Sequence, residues 1–269
     1  MSDLRLCVLS SLLLTIGFSA FPEEAASPSR DIYCEGQYGG HLQGIDVDSQ
    51  DSIYWSFTVD LVKTDAHGKV LAHIEVPNHH GDLVCLEDRL YVAVNLGEFN
   101  QEPGKENSWV YVYSTSDLAL ITKYAVPELV HGAGGITMRG GHFFVVGGLP
   151  VGYAVNYVYE YDAEFSFIKR HVLASGYTEK GIQTACAALG RFWFGCYGYP
   201  ENNGMLVWSL EDGTLEYHDT HASIGIAHLG DGRFLQALTK KDEKTGRYWG
   251  KVRPIRFAQD ATGRFVKGE

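Results

Sequence analysis

Histidines that precede short apolar segments are the residues of this chain best suited to chemistry. Five of its 11 histidines lie three to five residues before such a segment: His41, His79, His80, His131 and His221. A neutral imidazole can bind a divalent metal, and because it titrates near neutral pH it can also move a proton during catalysis. The spacing therefore points to a histidine-rich site.

Two chemical roles follow from these residue types. Asp82 lies two residues after His80, and we predict that His80, Asp82 and His131 form the catalytic group of a glycan hydrolase or lyase. A divalent metal is the candidate cofactor, with His41, His80, His131 and His221 as its candidate ligands. No pair has HxH or HxxxH spacing, so the ligands would have to come from separate segments. Alternatively, these histidines are structural and bond loop carbonyls.

Polar and aromatic side chains elsewhere in the repeats are candidates for substrate binding. Tyrosine rings can stack on sugars, and amides, imidazoles and ammonium groups can bond hydroxyls. We predict that a small polar ligand, carbohydrate in class, contacts His41, Gln43, Asn95, Gln183, Tyr153, Tyr197 and Lys240.

The elements that must position these residues form a repeat. Between residues 79 and 95 a polar connection leads into an apolar strand, a turn at Glu87-Asp88 and a second apolar strand, which is the pattern of a β-hairpin. The pattern recurs with its first apolar residue at Ile45, Leu83, Ile136, Ile182 and Ile226, in steps of 38, 53, 46 and 44 residues. Such steps are typical of stacked or radial repeats.

Each repeat contains four short strand patterns, which in the first unit span 44–47, 53–57, 61–64 and 70–76. No comparable segment after residue 20 has helical periodicity. We therefore predict an all-β, five-bladed β-propeller with four antiparallel strands per blade, formed by residues 31–269 as a single domain. A two-sheet sandwich is the alternative. The outer edge of the last blade could be completed by residues 264–266 or by 31–34, and we favour the early segment because it closes the ring.

Loop lengths predict which face binds. The loops between second and third strands are long, at 95–108, 147–156, 197–204 and 239–247, whereas the other hairpin turns are short. In a propeller the histidine-bearing connections lie on that same face. Long loops on a rigid scaffold usually mark the binding side, here the mouth of the central channel.

Composition excludes some partners and suggests a compartment. A net charge of −11 and a pI near 5.4 leave no basic footprint for nucleic acid or anionic membranes. Residues 1–20 are typical of a signal peptide and 21–30 of a linker, so we expect a secreted or periplasmic monomer with no membrane span after processing.

Four cysteines would remain after removal of the signal peptide: Cys34, Cys85, Cys186 and Cys196. They could be free thiols or form one of three pairings, and Cys186 and Cys196 lie on one predicted hairpin.

The size, the five repeats and the segment Leu42-Gln43-Gly44-Ile45 resemble the plant-type glutaminyl cyclase fold. The resemblance implies a secreted five-bladed propeller and, as an alternative function, acyl transfer that cyclises N-terminal glutamine. Gln43 matches the family and Lys240 is the candidate for its lysine. Gly81, followed by Asp82, stands where the family has a glutamate before a glycine, so the resemblance is one of architecture.

Two further alternatives remain. Arabinanase-type glycosidases are also five-bladed and need facing carboxylates, for which Asp46 and Asp82 are the candidates. A propeller with structural histidines would be a non-catalytic ligand- or protein-binding module.

Overall fold

A computed structural model describes residues 30–198 and 204–268, which fold entirely into strands, turns and loops. This part of the chain holds no helix of the length and hydrophobicity that a membrane crossing requires. The predicted signal peptide and residues 21–29 of the predicted linker lie outside the described residues.

The described strands, in chain order, are β1 (Ile32–Tyr33), β2 (Leu42–Val47), β3 (Ile53–Phe57), β4 (Asp60–Thr64), β5 (Val70–Glu75), β6 (His80–Leu86), β7 (Arg89–Asn95), β8 (Ser108–Ser114), β9 (Leu120–Ala125), β10 (Ala133–Arg139), β11 (His142–Gly147), β12 (Asn156–Tyr161), β13 (Phe167–Leu173), β14 (Ile182–Ala188), β15 (Arg191–Cys196), β16 (Met205–Trp208), β17 (Leu215–His218), β18 (Ile226–Gly230), β19 (Arg233–Lys241), β20 (Tyr248–Gln259) and β21 (Phe265–Lys267).

These strands form five antiparallel sheets, each built from one sequence repeat. Four sheets have the simple orders β2-β3-β4-β5, β6-β7-β8-β9, β10-β11-β12-β13 and β14-β15-β16-β17. The inner strands β2, β6, β10, β14 and β18 pack against one another in that order, and β18 returns to β2. The five-bladed β-propeller predicted from the sequence is confirmed.

The burial of each strand follows its position in the blade. Inner and second strands are buried for most of their length, as in β3, whereas the outer strands β5 and β9 alternate between half-buried and exposed positions. Aromatic rings fill the spaces between blades, and Trp193 of the fourth blade packs 4.7 Å from Phe234 and 4.9 Å from Phe257 of the fifth. Burial of apolar area between neighbouring sheets therefore stabilises the ring.

A recurring aspartate turn joins the third strand of several blades to the outer strand. Asp65 Oδ1 accepts the N–H groups of His67 and Lys69 at 2.8 and 3.0 Å. Asp162 and Asp260 make the same pair of bonds in their own turns. An aspartate that bonds the backbone two residues on favours a tight turn, which explains why the connections to the outer strands are short.

The fifth blade is completed from two directions. Ile32 of β1 pairs with Val252 of β20, while Phe265 of β21 pairs with Gln259 further along the same strand. The sequence analysis favoured the early segment, and the structure places both candidate segments on the edge of β20. Because β1 precedes the first blade, its pairing with the last blade closes the ring.

All four described cysteines, Cys34, Cys85, Cys186 and Cys196, are free thiols. Cys186 and Cys196 lie on one hairpin, as predicted, but are not paired across it, because Cys186 lies opposite Trp193 and Cys196 lies opposite Ile182. Burial raises the pKa of the Cys34 and Cys196 thiols to about 12, which keeps them protonated and unreactive.

Candidate functional site

The long loops and the histidine-bearing connections share one face of the ring, as predicted. Loop 96–107 follows β7, loop 148–155 follows β11 and loop 242–247 follows β19, whereas β6 and β7 are joined by two residues. The loop after β15 is described only at residues 197, 198 and 204. We call this side the long-loop face.

Four inner strands begin on this face with a β-bulge. The pairing shifts between Leu42 and Gly44, between His80 and Leu83, between Ala133 and Gly135, and between Ile182 and Thr184. A bulge adds an unpaired residue and turns its side chain out of the regular alternation. Gln43, Asp82 and Gln183 all occupy bulges. The polar connection that recurs in the sequence therefore corresponds to a β-bulge that recurs at the start of the inner strands.

His41, Gln43 and His79 form one hydrogen-bonded group, which we call the mouth cluster. The Gln43 amide nitrogen lies 2.9 Å from His41 Nε2 and 2.7 Å from His79 Nε2, and it also donates to Thr58 Oγ1 at 3.3 Å. Thr58 Oγ1 in turn donates to the His41 carbonyl at 3.1 Å. One amide from the first bulge therefore joins rings that come from two different blades.

Burial makes the imidazoles of the mouth cluster neutral. It lowers the pKa of His79 to about 4, with His41 adding to the effect. Burial also lowers the pKa of His41, and the positive charge of Lys180 lowers it further. Near pH 7 both rings are uncharged, so the cluster can exchange hydrogen bonds with a polar ligand but offers no positive charge of its own.

Aromatic rings extend the mouth cluster into an arc. The Tyr248 ring of β20 lies 6.0 Å from His41, and the Phe99 ring of loop 96–107 lies 4.9 Å from His79. Phe99 lies so close to Gly132 that a methyl group there would come within 2.6 Å of its ring. His131 follows, with Tyr153 at 5.1 Å and Tyr157 at 6.1 Å. The arc thus runs from the fifth blade to the third.

Loop 96–107 is held over the mouth by two predicted site residues. Buried Asn95 donates to the carbonyls of Gly97 and Glu98, each at 3.2 Å, and accepts from the N–H groups of Gly97 and Asn107 at 3.3 and 2.8 Å. His131 Nδ1 donates to the Gln101 carbonyl at 2.8 Å. Asn95 therefore organises the loop.

The channel is closed directly below the mouth. Asp82 Oδ2 accepts the N–H of Ala185 from the fourth blade at 2.7 Å, which spans the axis from the second blade. Burial raises the pKa of Asp82 well above its ordinary value, and neighbouring Asp46 adds to this. A methyl group on Gly44 would overlap the Asp82 carboxyl, and one on Gly81 would overlap the Gly134 carbonyl. Glycines are thus required where the inner strands meet.

The fourth blade contributes a positive charge to this face. Lys180 Nζ lies 5.3 Å from the centre of the Tyr197 ring, and Gln183 Nε2 donates to the Lys180 carbonyl at 2.6 Å. Lys180 is also close enough to His41 to lower its pKa. Gln183 and Tyr197 are therefore grouped around Lys180.

The predicted catalytic residues lie in three different environments. His80 is fully buried, and its Nδ1 donates to the Pro77 carbonyl while its Nε2 accepts from the Tyr113 hydroxyl, each at 2.7 Å. Asp82 bonds Ala185, and His131 bonds loop 96–107. The three side chains therefore bond separate parts of the protein and do not form one hydrogen-bonded group.

The predicted metal ligands are not assembled. Among residues 30–198 and 204–268, no three histidine, cysteine, aspartate or glutamate side chains are grouped so that they could hold a metal ion. His41 and His131 lie on the arc, His80 lies inside the second blade, and His221 is exposed on the connection before β18. The described residues therefore do not bring the four predicted histidine ligands together.

One predicted binding residue lies at the exposed end of a strand, and several residues near the mouth cluster were not predicted. Lys240 is exposed on β19 opposite Trp249. The sequence analysis missed Thr58, Phe99, Lys180 and Tyr248 as site residues. His79 and Lys180 both lie in the polar connections that recur before the inner strands, and this recurrence could have identified them. Phe99 and Tyr248 lie in segments that share no motif with the other repeats.

Comparison with known proteins gives no family. No protein-family model matches this chain, and no curated protein matches its sequence. It is similar to a Bacteroides caccae protein of unknown function, with a TM-score of 0.49 and 10% identity over 89% of this chain and 94% of that one. It is also similar to the computationally designed Ika4 protein (TM-score 0.40, 9% identity, 70% and 95% coverage) and Ika8 protein (TM-score 0.40, 10% identity, 79% and 71% coverage).

Proposed function

We propose that the protein binds a small polar ligand, carbohydrate in class, at the mouth cluster on its long-loop face. The observation that carries the proposal is the Gln43 amide, whose nitrogen bridges the Nε2 atoms of His41 and His79. Among the described residues nothing donates a hydrogen bond to its Oε1, which is left as an acceptor for a ligand.

The surrounding groups suit a hydroxylated ligand. Tyr248 and Phe99 offer ring surfaces on either side of the neutral imidazoles, and aromatic faces pack well on the apolar faces of sugars. Lys180 adds a hydrogen-bond donor from the fourth blade. Asp82 and the glycines close the channel below, so the ligand would rest on the mouth and not pass through the ring.

Binding without turnover is the form of this function that the geometry supports best. The ring nitrogens of His80 and one oxygen of Asp82 are already bonded within the protein. A general acid or base must be within hydrogen-bond reach of the substrate. We therefore propose a binding module in preference to a glycosidase, a lyase or a glutaminyl-cyclase-like acyltransferase.

The test is a panel of neutral oligosaccharides, screened first by array and then by calorimetry on the strongest binder. We expect Gln43→Leu to raise the Kd at least about tenfold, because about 1.4 kcal/mol is lost with the bridging amide. The control is His67→Ala, which removes an exposed histidine from the turn between β4 and β5 on the opposite face.

Two results would contradict the proposal: no binding to any glycan of the panel by the unaltered protein, or an equal Kd for Gln43→Leu and His67→Ala. Release of reducing ends during the same titrations would show turnover and would restore the hydrolase hypothesis.

A further inference from the structure

A second concavity lies on the fifth blade, away from the mouth. It has a volume of about 430 Å³ and forms where the first residues of β19 face residues 253–256 of β20. Small-ligand sites commonly occupy about 300–1,000 Å³. Its apolar lining includes Leu229, Pro254 and Ile255, and since arginine and lysine residues also line it, we call it the basic groove.

Cationic side chains surround this apolar lining. Arg256 and Lys267 are exposed at the groove, and no carboxylate of the described residues lies in ion-pair range of either. Arg233 is held there by its bonds to the carbonyls of Leu229 and Gly230, each at 3.3 Å. Arg253 differs, since Asp31 accepts from its Nε and a terminal nitrogen at 3.0 and 3.1 Å. Positive charge therefore collects at the groove in a chain of net charge −11.

The basic groove is separate from the mouth cluster. Arg233 pairs with Arg256 at one end of the β19–β20 ladder, and Lys241 pairs with Tyr248 at the other end. With a rise near 3.3 Å per residue, the two ends lie roughly 25 Å apart. A ligand in the groove would not touch the arc that includes Tyr248.

We propose that the basic groove is a site for a small amphipathic anion, such as an aryl or alkyl sulfonate, carboxylate or phosphate. The apolar lining buries the hydrocarbon part, while the exposed Arg256 and Lys267 side chains pair with the acidic group at the rim. Neither interaction suits a neutral sugar, so this ligand class differs from that of the mouth.

The test uses 8-anilinonaphthalene-1-sulfonate as the probe on the folded full-length protein, with its fluorescence followed during titration. We expect saturable binding and a Kd at least about fivefold higher for Arg256→Gln/Lys267→Gln, because two ion pairs are lost. The matched control is Lys241→Gln/Lys244→Gln, which removes the same charge from exposed positions near the far end of the ladder. Each variant must keep the urea midpoint of the parent protein.

A second measurement locates the probe. Amide shift changes in a nitrogen–proton spectrum should be largest near Leu229 and Gly268, and N-phenyl-1-naphthylamine, the neutral analogue, should bind much more weakly. The proposal is overturned by equal Kd values for the two double variants, by equal affinity for the neutral analogue, or by shift changes confined to the mouth.

Discussion

At the scale of single residues, neighbouring histidines acquire opposite roles. His79 joins Gln43 at the mouth, whereas His80 bonds the Tyr113 hydroxyl inside the second blade. Successive side chains on a strand point to opposite sides, so one of the pair must turn inward. The sequence predicted histidines at this connection but not which of the two would reach the surface, because polar residues and glycine flank both.

Asp46 should make stability depend on pH. Its carboxyl accepts the N–H of Cys85 from the next inner strand at 2.7 Å, and burial raises its pKa to about 6. Because the unfolded chain ionises first, the stability contributed by this group falls as pH rises from about 4 to about 6, by about 3 kcal/mol at most.

We therefore expect Asp46→Asn to gain stability relative to the parent protein over that pH range, as measured by urea unfolding at half-unit steps. Asp51→Asn, in the adjoining exposed turn, serves as the control. A constant difference between Asp46→Asn and the parent from pH 4 to 7 would refute the assignment.

Asn95→Ala should destabilise the protein through loop 96–107. The change removes four hydrogen bonds and leaves buried backbone groups unpaired, so we expect a loss of about 2–4 kcal/mol in the free energy of unfolding. Asn107→Ala, at the exposed end of the same loop, should cost less than about 1 kcal/mol. Equal losses would argue that Asn95 does not organise the loop.

At the scale of elements, the sequence predicted most of the strands correctly. The predicted 53–57 coincides with β3, and the predicted 44–47 falls short of β2 by two residues. Those two residues, Leu42 and Gln43, precede the glycine at the bulge, where the alternation of apolar residues breaks. Periodicity identifies regular strands, but a bulge removes that signal at the positions that build the site.

β21 gives a test of how the last blade is held. Buried Phe265 lies 4.9 Å from Trp193 of the fourth blade, and the Phe265 N–H donates to Glu216 at 3.0 Å. We expect Phe265→Ala to cost about 3–5 kcal/mol in unfolding free energy, as is typical of a buried phenylalanine.

The neighbouring Val266 is 46% exposed, and Val266→Ala should cost less than about 0.5 kcal/mol. Chemical denaturation of both variants measures the difference. If Phe265→Ala cost as little as we expect for Val266→Ala, the Phe265 ring would not be what holds the last blade.

At the scale of the whole molecule, no disulfide joins the described cysteines. Reduction should therefore change the free energy of unfolding by less than about 0.5 kcal/mol, whereas loss of a native disulfide costs about 2–5 kcal/mol. The measurement is urea unfolding with and without dithiothreitol, together with thiol titration of unreduced, denatured protein. Fewer than four titratable thiols from Cys34, Cys85, Cys186 and Cys196 would contradict the structure.

Pairing between β1 and β20 also determines when the last sheet can form during synthesis of the chain. Asp31 and Lys251 are 220 residues apart and lie side by side in the finished ring. A ribosome must therefore synthesise nearly the whole polypeptide before the final sheet can assemble, and until then the nascent chain keeps open strand edges. Among the described strands, β1 is therefore synthesised first but waits for β20 before it can pair, so it is the strand whose edge a chaperone would have to protect for longest.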